Sequence, residues 1–209
     1  MQNTNPQWLA WVRRMTSIAQ NGLAYSPDPY DKERFEMLQA LAAEITAVYT
    51  QTPFTILHDL FKADVGHATP KMDVRGVVFR DDKVLLVREK LDGGWTLPGG
   101  WVELGESPSE AVEKEVWEES GFQTKAVKLL AFYDRDKQGH PPHPYHIYKA
   151  CFLCEINGGN AQTSMETTEV AFFGRDEIPS DLSFSRVTHK QIDHFFDHKA
   201  NPDWPTDFD

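Results

Sequence analysis

Residues 100–122 read GWVELGESPSEAVEKEVWEESGF, and this stretch predicts a short helix with both ends specified. Ser107 is a favourable N-cap, Pro108 suits the first helical position, and Glu110 completes a capping box three residues after the cap. Gly121 suits the left-handed residue that ends a helix. We therefore expect a helix that begins at Pro108 and stops just before Gly121.

Three glutamates share one face of this predicted helix. Glu115, Glu118 and Glu119 stand at positions i, i+3 and i+4, which lie side by side on a helix surface. Like charges at these spacings disfavour a helix by roughly a few tenths of a kcal/mol per pair. A divalent cation would relieve this repulsion, because carboxylate oxygens are the ligands that Mg²⁺ and Mn²⁺ prefer. A solvated acidic face explains the same cluster, so the helix alone leaves both interpretations open.

The loop before the helix favours the metal interpretation. Gly99 and Gly100 allow the backbone to approach a neighbour closely, and Glu106 lies just before the helix cap. The spacing from Gly100 to Phe122 resembles the Nudix signature, G-x5-E-x7-R-E-U-x-E-E-x-G-U, in which U is a bulky apolar residue. Eight of the nine defined positions match, and the departure is Lys114 in place of arginine. We refer to residues 100–122 as the Nudix box.

The resemblance implies a fold and a metal centre. Nudix proteins share an α/β/α sandwich with a mixed sheet, so the expected fold class is α/β, here preceded by a small all-α domain. The implied cofactor is Mg²⁺ or Mn²⁺. The implied ligands are Glu115, Glu118 and Glu119 from the helix, with Glu106 and the Gly100 carbonyl as further ligands.

The resemblance also implies which residues act on the phosphates. Glu118 and Glu119 are the expected catalytic carboxylates, and a box glutamate is favoured as general base, with Glu166 and Glu169 as alternatives. Lys114, the third expected catalytic residue, replaces an arginine that orients a neighbouring glutamate in the family. Lysine keeps the charge but loses the planar two-pronged geometry, so we expect looser positioning without loss of function.

The region before the box predicts a separate helical domain, residues 1–66, with three helices. Asn5 and Asp31 are predicted N-caps of the first and second helices, and a third short helix follows Pro53. The second helix carries an apolar stripe, formed by Phe35, Leu38, Ala42, Ile45 and Val48. A unit of this size is marginal alone, so we expect it to pack on the rest of the chain or on a second subunit, and a homodimer is the expected assembly.

Residues 67–209 form the predicted Nudix domain. Patterns of apolar residues predict strands over 73–79, 83–88, 126–133, 145–156 and 169–173, and a last helix over 186–198. The tail, residues 201–209, is acidic and interrupted by proline, so we expect it to be loosely held.

Two wider phrases point to a substrate class. Residues 69–79 (TPKMDVRGVVF) and residues 97–122, together with the helical extension, resemble the Nudix subgroup of CDP-choline and ADP-ribose pyrophosphatases. The resemblance implies hydrolysis of the pyrophosphate bond in a small nucleoside diphosphate derivative. Cleavage of CDP-choline to CMP and phosphocholine is the first expectation, and cleavage of ADP-ribose is the alternative.

Several residues are candidates for substrate binding. Arginines suit phosphates, and aromatic rings suit a nucleobase or a quaternary ammonium group. Simple solvation of the arginines and ordinary packing of the aromatic rings explain the same residues. The expected substrate-binding residues are Arg75, Arg88, Trp101, Glu103, Tyr145 and Glu166.

Composition limits the remaining function classes. The net charge of −11, from 21 basic and 32 acidic residues, argues against a stable nucleic-acid partner. No apolar run approaches the roughly 18 residues that span a bilayer, and the N-terminal residues lack the pattern of a signal peptide. We therefore expect a cytoplasmic enzyme with no membrane partner. An RNA 3′-end or cap hydrolase and a non-catalytic nucleotide-sugar sensor remain as rival functions.

Overall fold

The chain folds into two compact units, as seen in a computed structural model that describes residues 6–209. Residues 71–141 and 147–209 form an α/β unit, and residues 6–70 form a helical unit together with residues 142–146. Each unit has its own apolar core.

The helical unit contains the three predicted helices: α1 (Gln7–Tyr25), α2 (Pro29–Thr50) and α3 (Phe54–Ala63). Helices α1 and α2 pack on each other, and α3 packs on α2. The buried residues that fill the space between them are Val12, Ala42, Ala43, Leu57 and Phe61.

Two details of the helical unit differ from the sequence expectation. The N-cap of α2 is Asp28, whose carboxylate accepts hydrogen bonds from the amides of Tyr30 and Asp31, so the cap predicted at Asp31 is wrong. Pro29 explains the shift, because proline at the first helical position starts the helix earlier. The cap predicted at Asn5 lies outside the described residues.

The predicted apolar stripe of α2 is confirmed except at its end. Ala42 is buried and Ile45 packs against the core of the helical unit, whereas Val48 is 77% exposed. The other buried positions are Gln39, Ala43 and Thr46, so small and polar side chains share the buried face with the stripe. Several of the larger apolar side chains of α2 face solvent instead.

The α/β unit is built on a mixed 7-stranded sheet. Strand β1 is parallel to β5 and forms an antiparallel hairpin with β2, and β2 also pairs with β3 and β6. On the other side, β5 pairs with β4, which pairs with β7. The strands are β1 (Lys71–Arg80), β2 (Lys83–Glu89), β3 (Trp95–Thr96), β4 (Phe122–Asp134), β5 (Ile147–Gly159), β6 (Thr167–Phe173) and β7 (Asp207–Phe208).

One helix covers each face of this sheet. Helix α4 (Pro108–Ser120) packs against Val74 and Val78 of β1, while α5 (His189–Ala200) lies in the core that contains Val77. Successive side chains of a strand point to opposite faces, so α4 and α5 lie on opposite sides of the sheet. The unit is the α/β/α sandwich expected from the sequence.

Two expectations for the end of the chain are wrong. Helix α5 begins at His189, not Arg186, because Thr188 and Gln191 form a capping box at its start. The tail is held in place: β7 pairs with β4, and the Thr206 hydroxyl donates to the Leu129 carbonyl at 2.7 Å. The prolines therefore interrupt helix formation without releasing the segment.

Candidate active site

Helix α4 has the ends that its sequence predicts. The Glu110 amide donates to the Ser107 hydroxyl at 3.3 Å, and the Glu110 carboxylate accepts from the Ser107 amide at 2.9 Å. Gly121 has φ 76°, a left-handed value that residues with a Cβ rarely adopt, and its amide bonds to the Trp117 carbonyl at 2.8 Å. The two caps fix which residues of α4 face the sheet.

The loop before α4 runs along strand β1. The Pro98 and Gly100 carbonyls accept hydrogen bonds from the amides of Gly76 and Val74 at 2.8 and 2.9 Å. Gly99 between them has φ 145°, and a Cβ on Gly99 would collide with the Val74 carbonyl. Glycine is therefore required where the loop presses against the sheet.

Glu119 connects this loop to the helix. Its carboxylate accepts a hydrogen bond from the Gly99 amide at 2.9 Å, and the residue is buried. Burial raises the pKa of Glu119 to about 8, and the nearby carboxylates of Glu89 and Glu115 act in the same direction. The charge of Arg75 and the Gly99 hydrogen bond oppose that rise. This carboxylate would be stabilised as an anion by a bound cation.

Glu115 lies beside the same segment, residues 98–100, which we call the glycine loop. A Cβ on Gly100 would approach the Glu115 carboxylate to 2.9 Å, so the two residues are in contact. Burial raises the pKa of Glu115 to about 7, and the charges of Glu118 and Glu166 add to the effect. Glu118 is exposed, and among the described residues its side chain makes no hydrogen bond. The structure thus places Glu115 and Glu119 beside Gly100 and Gly99, and Glu118 lies close enough for its charge to act on Glu115.

Lys114 positions the loop glutamates. Its ammonium group lies 2.7 Å from Glu106 Oε1 and 3.7 Å from Glu103 Oε2. The other oxygen of Glu106, Oε2, is buried and has no hydrogen-bond partner among the described residues. A buried carboxylate oxygen without a partner costs free energy, so this atom has an open ligand position. The donor set of glutamate oxygens and a backbone carbonyl fits a hard divalent ion.

A buried cluster of charged residues lies next to the site, and the sequence analysis named only Arg75 of its members. Arg75 donates to the Asp73 carboxylate at 2.9 Å and to the Leu97 carbonyl at 3.2 Å, and Lys149 forms a further ion pair with Asp73. Burial opposes ionisation of Asp73, but the two cations outweigh it and hold its pKa below the ordinary value. Asp73 and Arg75 at i, i+2 on one strand were a detectable signal, because such residues share a face.

Glu89 is a second acidic residue that the sequence analysis missed. It is buried and pairs with Arg186 at 3.0 Å. Burial raises the pKa of Glu89, and the charge of Glu166 adds to this effect while Arg186 and Arg75 oppose it. Glu89 therefore belongs to the same electrostatic environment as Glu119. It ends a strand of buried apolar residues, and only the tertiary structure reveals its neighbours.

Three other residues predicted to bind substrate lie in separate parts of the structure. Arg88 pairs with Glu169 at 2.7 Å and Asp181 at 3.3 Å, so its guanidinium connects neighbouring segments. Trp101 is half exposed and forms an isolated bridge with β1. Tyr145 belongs to the segment 142–146 of the helical unit.

Family models match most of the chain. The model for the NUDIX domain matches residues 69–195, and the model described as UDP-X-like, N-terminal oligomerisation domain matches residues 6–61. The chain belongs to the Nudix family. The family match and the names of its relatives make this chain a Nudix pyrophosphohydrolase.

Similar proteins extend over both units. A Bacillus subtilis (strain 168) protein named "Putative ADP-ribose pyrophosphatase YjhB" is 46% identical over 209 residues, covering 100% of both chains. A crystal structure of a UDP-X diphosphatase is 32% identical, with a TM-score of 0.63 and 100% of both chains covered. The crystal structure of an ADP-ribose pyrophosphatase from Streptococcus suis 89-1591 is 37% identical, with a TM-score of 0.62, and covers 68% of this chain and 100% of that one.

Among the described residues, no helix combines the length and the apolar composition that crossing a membrane requires.

Proposed function

We propose that this Nudix enzyme hydrolyses the pyrophosphate bond of a nucleoside diphosphate linked to a second group, with Mg²⁺ or Mn²⁺ as cofactor. One observation carries the proposal. Buried and half-buried glutamates of α4 converge on the glycine loop, where Glu119 accepts from the Gly99 amide and Glu115 contacts Gly100. Such a concentration of acidic groups beside a backbone carbonyl suits a cation-dependent reaction on phosphates.

The names of similar proteins support the choice of substrate class. Two of these names contain ADP-ribose and one contains UDP-X, where X is an unspecified group. CDP-choline rests on the sequence resemblance alone and stays a prediction. All three are nucleoside diphosphates that carry a second moiety on the terminal phosphate. We propose ADP-ribose as the first substrate to test within this class.

The residues that would hold the ion are Glu115, Glu118 and Glu119, with Glu106 and the Gly100 carbonyl as further ligands. When bound, a divalent ion neutralises the phosphates and lowers the pKa of a coordinated water. The unpartnered oxygen of Glu106 and the raised pKa values of Glu115 and Glu119 support this ligand set.

The chain's own groups position these carboxylates. The Gly99 amide fixes the orientation of Glu119, and the Lys114 ammonium holds one oxygen of Glu106. Lys114 also lies near Glu103, which keeps that exposed carboxylate beside the loop. These contacts exist in the protein alone, so the carboxylates need little reorganisation when substrate arrives.

We assign Glu118 as the group that takes the proton from the attacking water. Its side chain is exposed and accepts no hydrogen bond from the described residues, so it is available to solvent at the site. Glu119 is engaged by the Gly99 amide, and Glu169 is paired with Arg88. Glu166 remains the alternative base, since its charge acts on Glu115. Geometry and availability therefore favour a box residue.

A substrate panel tests the proposal. The full chain is assayed with ADP-ribose, CDP-choline, a UDP-sugar and a short RNA, each with Mg²⁺ and with Mn²⁺. We expect cleavage of one of the nucleoside diphosphate derivatives and no trimming or decapping of RNA. Binding of these compounds without turnover would instead identify a nucleotide-sugar sensor.

Variants of α4 show whether the box carries the activity. Glu118→Gln and Glu119→Gln should each remove most of the metal-dependent turnover and leave the circular dichroism spectrum unchanged. Glu113→Gln is the matched control, because Glu113 lies on the same helix but bonds to the Ala126 amide at 2.9 Å. Full activity in both box variants would refute the site.

We also infer that the helical unit forms a homodimer. Exposed apolar residues recur at heptad spacing on two of its helices, a pattern typical of helix–helix association. The matching family model is described as an oligomerisation domain. The exposed residues are Trp11, Ile18 and Tyr25 on α1, and Met37, Leu41 and Val48 on α2.

A further inference from the structure

A second set of metal-ligand side chains lies at the C-terminal end of the α/β unit. His194 and His198 are one turn apart on α5, so both imidazoles project from the same side of the helix. Asp207 of β7 faces them, and one ligand atom from each of the three residues lies within 4.8 Å of the others.

The three side chains meet at one carboxylate oxygen. His198 Nε2 is 3.7 Å from Asp207 Oδ2, and His194 Nε2 makes a hydrogen bond to the same oxygen. The Tyr133 hydroxyl donates to this oxygen as well, at 3.3 Å. Groups that orient a ligating carboxylate in this way are typical of metal sites.

His198 provides an independent indication of a ligand position. The residue is 2% exposed, and neither of its ring nitrogens has a hydrogen-bond partner among the described residues. Leaving a buried polar group unsatisfied costs free energy. The Nε2 atom points toward Asp207, so a cation between them would satisfy it.

Aromatic rings pack beside the cluster. The His194 and His198 rings are nearly perpendicular, at 83°, with centroids 4.9 Å apart. The Trp204 ring lies 5.9 Å from His194 and 5.6 Å from His198. His194 and Asp207 remain partly exposed, so water can reach the cluster.

We propose that His194 Nε2, His198 Nε2 and the Asp207 carboxylate bind a transition-metal ion, with Zn²⁺ as the first choice and water as the fourth ligand. Two imidazoles and a carboxylate form a common zinc ligand set, and histidines four residues apart on a helix are a recurrent way of supplying it. Tetrahedral zinc with these ligands places them about 3.3 Å apart. The distance from His198 to Asp207 is close to this spacing.

This site differs from the Nudix box in place and chemistry. Helix α5 and helix α4 pack on opposite faces of the sheet. The box offers oxygen ligands, which suit Mg²⁺ and Mn²⁺, whereas imidazole nitrogens favour Zn²⁺ and its neighbours. The ion would join the tail to α5, where His194 and Asp207 already contact each other, and would add to the pairing of β7 with β4.

Calorimetric titration with Zn²⁺ tests the proposal on the full chain after treatment with a chelator. The background is the variant Glu115→Gln/Glu118→Gln/Glu119→Gln, which removes the competing box carboxylates. We expect one Zn²⁺ per chain, with the affinity reduced at least about 100-fold by His194→Gln or Asp207→Asn. His189→Gln is the matched control and should bind normally, because His189 lies on α5 but contacts the Pro179 carbonyl.

Two outcomes would overturn the site: no zinc binding in the background variant, or equal affinity in the His194, Asp207 and His189 variants. The visible absorption spectrum of bound Co²⁺ is a second test, and it needs no variant of His194, His198 or Asp207 to fold. Intense visible absorption of the background variant, as for a tetrahedral ion, supports the site, and the weak absorption of an octahedral ion contradicts it. Zn²⁺ should also raise the melting temperature of the background variant and of the His189 control.

Discussion

The backbone amide of Gly99 donates a hydrogen bond to the Glu119 carboxylate over 2.9 Å. This bond joins the glycine loop to helix α4, so the two halves of the Nudix box are held in one arrangement. The loop residue and the helix residue are 20 positions apart in the chain. Anything that moves the loop away from β1 should therefore also move a carboxylate of the active site.

Substitution of Gly99 by alanine should impair both stability and activity. The added Cβ would meet the Val74 carbonyl at a φ of 145°, so the loop must shift and the bond to Glu119 is lost. We expect the free energy of unfolding to fall by more than about 1 kcal/mol, together with most of the turnover. Urea unfolding and a metal-dependent assay measure the two effects. Gly93→Ala, at φ 71° in open space, should leave turnover near normal.

Replacement of Lys114 should change the metal requirement. Lys114→Met removes the partner of Glu106 Oε1, and the other oxygen already lacks one among the described residues, so this carboxylate loses the contact that positions it. We expect turnover at limiting Mg²⁺ to fall about 10-fold or more, whereas Lys114→Arg should equal or exceed the natural enzyme. Lys125→Met is the control, since Lys125 pairs with Glu113 of the same helix. An identical Mg²⁺ dependence in all variants would contradict the positioning role.

Acid should destabilise the protein through His140. Burial lowers the pKa of His140 from 6.5 to about 4, and the charges of Lys149 and Arg135 add to the effect. Between pH 6.5 and 4 the unfolded chain binds a proton that the folded chain does not, so stability falls as the pH falls. The loss attributable to this group is on the order of 3 kcal/mol.

Urea unfolding at pH 7 and at pH 4 measures this loss. His140→Gln can still donate to the Phe184 carbonyl, which His140 Nδ1 contacts at 2.7 Å, but it cannot titrate. The variant should lose less stability than the natural protein over the same range. Parallel pH profiles for the two proteins would show that another group is responsible.

The proposed homodimer predicts a concentration-dependent mass. Sedimentation equilibrium at micromolar concentration should give a dimer, and Leu41→Glu/Val48→Glu should give a monomer with unchanged helix content. Both residues are exposed on α2, so the substitution leaves the core of the helical unit intact. Leu91→Glu, at an exposed position in the α/β unit, should remain dimeric. A natural protein that sediments as a monomer would eliminate the proposal.

The first and last residues of helix α4 could be predicted from the sequence. Helix α4 begins at Pro108 and ends at Ser120 because Ser107, Glu110 and Gly121 act on their immediate neighbours. Where two local signals compete, the prediction failed. Asp28 and Asp31 are both good caps, and Pro29 decides between them.

Long-range partners could not be predicted in the same way. Lys149 lies in an apolar strand, and its pairing with Asp73 depends on the parallel register of β1 and β5. That register is set by the packing of whole strands, which a single sequence does not display. The prediction of a loosely held tail was wrong for a similar reason. Asp207 and Thr206 find their partners on α5 and β4, and a single sequence does not display these contacts.

The glycine loop is itself hydrogen-bonded along β1, through the Pro98 and Gly100 carbonyls and the amide of Val102, which bonds to the Met72 carbonyl at 3.1 Å. The loop therefore shares its backbone hydrogen bonds with a strand of the central sheet. A change that strips the loop from β1 also leaves amides and a carbonyl of that strand without their partners, so damage to the loop and damage to the sheet edge are coupled.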